Sequence, residues 1–350
     1  MVKVVSFGCR INSYESEIFK EKLKDYDNLL SCPTMKDIVA YLKSNTKYRY
    51  TLDGLHDAAV HRGNLEVLLK KQMYTEYANL CSFERSIGEH YFEYLLLKAE
   101  IEQILMFFRY FSAGKAYSLP FSLPDFFKNS SKVDAEKLSH AQNFNEALQI
   151  LKNTRYHKIL VAFKPKDDKT PPDFTLIESA LDKYMYSETE RLVNKHFSGH
   201  TKDELFKIFG AQAELDNIRK IYRSKKYHNF TNDELKSMLN HGQFNLSGRV
   251  LNQMIESEDY NGVYALLNSS KYKSFLNSYN FVYIDDFANR FLYNHCRRKI
   301  HFSKEPAVVM ASAILLTEIE IYNITNIIEG KRYQVDANTI KQMLILDRQG

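Results

Sequence analysis

Glycine, proline and tryptophan are scarce in this chain. Its 350 residues include 12 glycines, 7 prolines and no tryptophan. Because glycine and proline interrupt helices more strongly than other residues, their scarcity favours long helices. Hydrophobic residues make up 44% of the chain and charged residues 26%, which is ordinary for a folded protein and argues against disorder. With no sustained alternation of apolar and polar residues, the sequence predicts an all-α fold.

The sequence also lacks the patterns of nucleotide, hydrolase and zinc sites. It contains no GxGxxG or GxxxxGK[ST] loop, no GxSxG turn and no HExxH motif. Glu89, His90 and Glu93 come nearest to a metal site, but a solvated helix surface explains them as well. We therefore predict no catalytic, metal or cofactor site, no small-molecule substrate and no enzyme activity of the chain's own.

Cysteine spacing and apolar runs indicate where the chain works. It has four widely spaced cysteines, Cys9, Cys32, Cys81 and Cys296, which suggest a reducing compartment, and no signal peptide is recognised. The longest apolar run, Ala307–Leu316, has ten residues, whereas a membrane-spanning helix needs roughly 20. We expect a cytoplasmic protein that reaches a membrane only through another protein.

Basic and acidic residues are nearly balanced, at 48 and 43, with a formal net charge of +5. Such a mixed surface gives little support to nucleic-acid binding, which favours basic side chains concentrated on one face. Seven basic residues are candidates for binding an acidic partner or lipid headgroups, but a solvated surface or a helix dipole explains them as well. They are Arg297, Arg298, Lys299, Lys225, Lys226, Lys331 and Arg332.

One helical face is repeated three times, about a hundred residues apart. Each copy is a glutamate followed by apolar residues that form one stripe of an α-helix. The glutamates are Glu100, Glu214 and Glu320, and the stripes contain Ile104, Ile218 and Ile324. We expect the stripes to be core. The glutamates either converge on a cation or partner or, as we prefer, pair with a basic residue or accept backbone hydrogen bonds.

A second motif alternates with the first, so that the chain reads as three copies of a helical domain. In each copy a small hydroxyl residue and a basic residue lead into a tyrosine, as Thr46-Lys47-Tyr48, Thr154-Arg155-Tyr156 and Ser270-Lys271-Tyr272. We expect each tyrosine to bury its ring and keep its hydroxyl in solvent. The predicted domains are residues 1–115, 116–235 and 236–350.

Local signals predict the helix limits. Helices are expected at Tyr14–Leu30, Ile87–Phe111, Lys202–Tyr227 and Pro306–Glu329, among others. Thr201 with Glu204, and Thr231 with Glu234, have the spacing of capping boxes. The prolines of Ser118–Asp125 predict an irregular connection there.

Taken together, these features resemble the C subunit of V-type ATPases and ATP synthases, whose eukaryotic counterpart is the d subunit. The resemblance covers nearly the whole chain and is weakest near its start. It is carried by the order of the three copies, by Glu214-Leu215-Asp216-Asn217-Ile218-Arg219 with Arg223 and Lys225, and by Glu320-Ile321-Tyr322-Asn323-Ile324 with Gly330-Lys331. The copies differ in places, since Gln103 stands where the later copies have Asn217 and Asn323.

This resemblance implies a funnel-shaped protein in which three similar helical domains surround a central depression with pseudo-threefold symmetry. Such a protein is a non-catalytic part of the central stalk. It would join the shaft subunits of the catalytic head to the membrane ring of ion-carrying subunits and transmit torque for ATP-linked proton or sodium transport. It would lie at the cytoplasmic face of the membrane as a peripheral protein. The residues alone leave one alternative open, a helical-repeat scaffold for soluble protein partners.

Overall fold

The computed structural model describes residues 25–53, 62–83, 85–112, 127, 129–166, 172–228, 230–242, 244–278, 281 and 283–346. Within these residues all regular structure is helical and no strand occurs, which confirms the all-α prediction. The predicted connection at Ser118–Asp125 and most of the predicted helix Tyr14–Leu30 lie outside the described residues.

Long helices form the framework of the described residues, and short helices connect them. In chain order they are α1 (Met35–Asn45), α2 (Arg49–Leu52), α3 (Arg62–Phe83), α4 (Arg85–Ser112), α5 (Ala135–Ser139), α6 (Phe144–Ile150), α7 (His157–Leu160), a 3₁₀ turn (Val161–Phe163), α8 (Phe174–His196), α9 (Gly199–Tyr227), α10 (Asn232–Met238), α11 (Gly248–Glu256), α12 (Tyr260–Ser269), α13 (Lys273–Ser278), α14 (Ile284–Phe302), α15 (Pro306–Arg332) and α16 (Ala337–Met343). The helices predicted at Ile87–Phe111, Lys202–Tyr227 and Pro306–Glu329 are therefore present, with ends that shift by up to three residues.

Side-chain caps explain where several helices begin. Thr231 and Glu234 form the predicted capping box of α10, which is confirmed. The box predicted at Thr201 is wrong, because α9 already begins at Gly199. The hydroxyl of Thr201 instead donates a hydrogen bond to Glu305 at 2.7 Å.

The chain folds into two compact units, which are described separately. Unit 1 contains Met1–Asn79, Gly199–Ile208 and Tyr279–Gly350, and unit 2 contains Leu80–Ser198 and Phe209–Ser278. Unit 1 therefore joins the start of the chain to its end, whereas unit 2 contains most of the middle.

Helix α15 is the central helix of unit 1, and α1, α14 and α16 pack against it. Pro306 occupies its first turn, where a missing amide hydrogen costs nothing. By length and composition α15 is apolar enough to cross a membrane, but 78% of its most apolar stretch is buried inside the protein, as in a core helix. At its other end, a Cβ on Gly330 would lie 2.5 Å from the Ile340 side chain, so only glycine lets α16 pack there.

In unit 2, α4 packs along α8, and the short helices α5 to α7 complete a core with them. Ile104 and Phe108 of α4 are fully enclosed in this core together with Tyr156 and Leu181. The stripe predicted from the helical period is thus the face of α4 that is turned inward.

Candidate functional site

The tyrosine motif forms the same turn in all three copies. The hydroxyl of Thr46, Thr154 or Ser270 donates to a carbonyl three or four residues earlier, at 2.7 Å in each case. The same oxygen accepts the N–H of the tyrosine two residues later, at 3.2–3.3 Å. Because these bonds satisfy the backbone where one helix stops and the next starts, a small hydroxyl residue precedes each tyrosine.

All three tyrosines are buried, and each hydroxyl donates a hydrogen bond to one of the repeated glutamates. Tyr156 donates to Glu100 at 2.7 Å, Tyr272 donates to Glu214, and Tyr48 donates to Glu320 at 3.1 Å. The prediction that the hydroxyls stay in solvent is wrong, because the core encloses the whole ring and a buried hydroxyl then needs a protein partner. We call these three contacts the glutamate–tyrosine pairs.

The pairs follow a fixed order along the chain. Glu100 and Glu214 each bind the tyrosine of the next copy, 56 and 58 residues further on. Glu320, in the last copy, binds the tyrosine of the first copy, 272 residues away. Every pair therefore joins two successive copies, with the last copy returning to the first.

Besides its tyrosine, each glutamate has further hydrogen-bond or ion-pair partners. Backbone N–H groups, hydroxyls or lysines surround the carboxylates. They are Ser131 at 2.9 Å and the Lys132 N–H at 3.0 Å for Glu100, the Leu246 N–H at 2.8 Å and Lys271 at 3.6 Å for Glu214, and Lys47 at 3.6 Å for Glu320. Buried carboxylates are costly unless they are paired and hydrogen-bonded, so these contacts offset the cost of burying the three glutamates.

Burial also fixes the protonation of the tyrosines. Burial of the phenol is the main cause, and the charge of the neighbouring glutamate the second, of a pKa well above the ordinary tyrosine value for Tyr48, Tyr156 and Tyr272. Each phenol therefore keeps its proton across the physiological pH range and remains a donor.

Asparagine supplies a second repeated contact, which sequence reasoning missed. The side chain of Asn217 accepts the N–H of Asn240 at 2.7 Å and donates to its carbonyl at 3.0 Å. Asn323 binds the N–H and carbonyl of Ile345 in the same way, at 2.8 and 2.9 Å. Gln103, at the matching place in the first copy, is buried, and among the described residues its amide atoms have no hydrogen-bond partner. The shared asparagine was the signal that could have revealed these two contacts.

Isoleucines at the centre of the three stripes are all buried. Ile104 and Ile218 lie in unit 2, and Ile324 lies in unit 1. Each lies on the same helix as one of the repeated glutamates, in α4, α9 and α15.

The seven basic candidates lie at the ends of three helices, and the five in unit 1 fall into two separate groups. Arg297, Arg298 and Lys299 are in the last turns of α14, whereas Lys331 and Arg332 end α15. The chain enters α15 directly after α14, so the two groups are separated by the length of α15, roughly 40 Å for its 27 residues.

Within unit 1 these residues differ in exposure and in partners. Arg298 and Arg332 are exposed, and Arg297 is half-buried. Lys331 donates to the Leu30 carbonyl at 2.5 Å, and Lys299 binds Glu204. Lys331 and Lys299 therefore already have contacts inside the unit.

In unit 2, Lys225 and Lys226 end α9 among aromatic rings. Lys225 donates to the Asn232 side chain at 3.2 Å. Lys226 lies over the rings of Tyr222, Tyr227 and Tyr260 at 5.1–5.7 Å, so cation–π attraction accounts for its position.

Several charged side chains come together where α9 and α14 meet in unit 1. Burial opposes ionisation of Glu204, but hydrogen bonds from Lys207 and Lys299 lower its pKa to about 2. Burial, then Lys299 and other nearby cations, lowers the pKa of His295 to about 4. Glu204 is therefore a carboxylate and His295 a neutral imidazole at neutral pH.

No group of three histidine, cysteine or acidic side chains able to hold a metal occurs in the part of the chain that the structure describes. Glu89, His90 and Glu93 were the residues nearest to a metal site in the sequence, and the side chain of Glu89 lies outside the described residues. His90 stacks on His196 with ring centroids 3.8 Å apart, and Glu93 lies 3.9 Å from the same histidine.

Comparisons with known proteins agree with the family resemblance found in the sequence. The sequence model of a protein family described as "ATP synthase (C/AC39) subunit" matches residues 9–343. A Methanosphaera stadtmanae protein, named as the C subunit of an A-type ATP synthase, is 31% identical over 228 residues, which cover 61% of this chain and 57% of the relative. A Methanobrevibacter smithii protein of the same name is 29% identical over 143 residues, covering 41% of this chain and 36% of the relative. The chain thus aligns with little more than half the length of the first relative.

Proposed function

Because the chain belongs to the ATP synthase (C/AC39) subunit family, that of the C and d subunits of V-type and A-type ATPases, we propose that it is a non-catalytic rotor subunit. In this role it joins the shaft subunits of the catalytic head to the membrane ring of ion-carrying subunits. It transmits torque for ATP-linked proton or sodium transport. The family match over residues 9–343 is the observation that carries this proposal.

The buried hydrogen bonds of the glutamate–tyrosine pairs support a role in transmitting force. Each glutamate–tyrosine pair ties a long helix to a short one by a buried bond between residues far apart in sequence. A buried bond inside a close-packed core resists displacement, because neither partner has water as a substitute. Torque transmission requires this kind of stiffness in the part that connects shaft and ring.

We place the chain at the cytoplasmic face of the membrane, as a peripheral protein held there by other subunits. Among the described residues, α15 is the helix long and apolar enough to cross a membrane, and it is mostly buried in unit 1. The division into domains at residues 1–115, 116–235 and 236–350, and their arrangement as a funnel, stay predictions.

A pull-down from detergent-solubilised membranes tests the proposal. The full-length tagged chain should retain ring and shaft subunits, identified by mass spectrometry. Removing the chain should abolish ATP-driven ion pumping in vesicles while the catalytic head still hydrolyses ATP. Retention of soluble proteins alone would reject the rotor role and favour the helical-repeat scaffold.

A further inference from the structure

One exposed basic surface with an aromatic ring lies in unit 1, where α14 ends and α9 begins. We call it the α14 patch. It is defined by the exposed basic and aromatic side chains of Lys207, Arg298, His301, Phe302 and Lys304, and one acidic side chain, Asp203, is exposed there as well. Residues 199–208 and 297–305 carry six lysines and arginines against three acidic residues, so the surface is net positive.

A buried carboxylate holds this patch together. Glu204 binds Lys299 of α14 and, at 2.7 Å, Lys207 of its own helix. Thr201 donates to Glu305 at 2.7 Å and so ties the start of α9 to the residue that precedes α15. Glu204 and Glu305 thereby hold the start of α9 against the end of α14 and the residue before α15. Asp203 is the third acidic residue of the patch. Lys207 and Lys299 are thereby held in place before any partner arrives, which lowers the entropic cost of binding.

Phe302 is the feature that a solvated basic surface does not explain. Its side chain is 83% exposed, and it is the last residue of α14, four positions after Arg298. Aromatic rings and arginines are enriched at the centres of protein interfaces, where the ring is buried by the partner. An exposed phenylalanine between cations fits a surface that is covered in the assembled state.

The same charges act on His295 of α14. Burial lowers the pKa of this histidine first, and Lys299, Arg298 and Lys207 lower it further against the opposing charge of Glu204.

We propose that the α14 patch is the docking site for an acidic protein segment that carries an apolar side chain for Phe302. The inference rests on the proposed function in one respect, since it takes this segment to belong to another subunit of the rotary complex. An anionic membrane is a poorer fit. Stable binding to lipid requires a broad apolar helix face or a cluster of about four to eight lysines and arginines, whereas this patch exposes one ring and three such cations.

Photo-crosslinking in the intact complex tests the proposal. The substitution Phe302→p-benzoylphenylalanine places a reactive ketone at an exposed position, so the fold should be kept and its melting curve unchanged. After illumination of the membranes, the ring should form a bond to a peptide of another subunit that is rich in Asp and Glu. Adding Arg298→Glu should lower the yield on the order of tenfold, because a reversed charge repels the acidic segment and slows its association. Raising the salt concentration should lower it as well.

Tyr50 provides the matched control, because it is an aromatic residue of the same unit, 85% exposed and outside the patch. Tyr50→p-benzoylphenylalanine should not label the same peptide. Bonds from position 302 only to lipid, to nucleic acid, to a neutral or basic peptide, or to nothing would overturn the proposal. The identity of the labelled protein tests the rotor role separately: an acidic peptide from outside a rotary ATPase would keep the docking chemistry and reject the rotor role.

Discussion

Tyr48 donates a hydrogen bond to Glu320 across 272 positions of sequence, with 3.1 Å between the two oxygens. Both side chains are buried, and Lys47 lies 3.6 Å from the same carboxylate. The contact joins the turn after α1 to the central helix α15. The first tyrosine motif therefore belongs to the same core as the last glutamate motif.

Removing this donor should weaken unit 1. Tyr48→Phe keeps the ring but leaves the buried Glu320 carboxylate with one hydrogen bond fewer, which costs about 1–3 kcal/mol of unfolding free energy. Faster amide hydrogen exchange in α15 should report the loss locally. Tyr50→Phe, on an exposed ring, should change the free energy by less than about 0.5 kcal/mol. Equal protection of α15 in both variants would show that the bond contributes nothing.

A charge in the second stripe should unfold unit 2. Ile218 is fully buried in α9, so Ile218→Asp places an unpaired carboxylate in the core. We expect loss of the cooperative melting of unit 2 and uncoupling of ATP hydrolysis from ion pumping. Ile218→Val, which removes one methyl group, should cost only about 0.5–1.5 kcal/mol and leave pumping intact. Normal melting and normal pumping of Ile218→Asp would refute the claim that Ile218 holds the core of unit 2 together.

Two neighbouring arginines of α14 should respond differently to charge reversal. Arg298 is exposed, so Arg298→Glu should leave the melting temperature unchanged and reduce retention of the chain on salt-washed membranes. Arg297 is half-buried, so Arg297→Glu should lower the melting temperature itself. Measurement of both properties for both variants separates assembly from folding. If Arg298→Glu is retained on membranes as well as wild type, Arg298 is an ordinary solvated residue and does not contribute to assembly.

Ionisation of Glu204 predicts a pH-dependent stability. Its pKa is about 2 in the folded protein against an ordinary 4.5, so the unfolded chain binds the proton more readily. The stabilisation is complete above pH 4.5 and is lost as the pH falls towards 2. Melting temperatures from pH 7 to 2 should show wild type above Glu204→Gln near neutrality, with the difference vanishing at the acid end. Asp203→Asn, beside it but exposed, is the control, and a constant difference for Glu204→Gln would contradict the ion-pair account.

Much of the chain could be predicted from the sequence because its information is local. Scarce glycine and proline, a helical period and capping residues such as Thr231 depend on neighbours a few positions away. They gave the all-α class, the ends of α9 and α15 to within a few residues, and the three copies on which the family resemblance depends. Thr201 failed as a cap because α9 begins at Gly199, three residues before the predicted first residue Lys202.

The sequence by itself determined the helices, the buried stripes and the recurrence of a glutamate and a tyrosine. Only the tertiary structure decided that Glu100 meets Tyr156, that Glu320 meets Tyr48, and that these phenols lose their water. The physical reason is that a helical period fixes which side chains share a face, but not which distant face is packed against it. That choice depends on the path of the whole chain and on the burial that it produces.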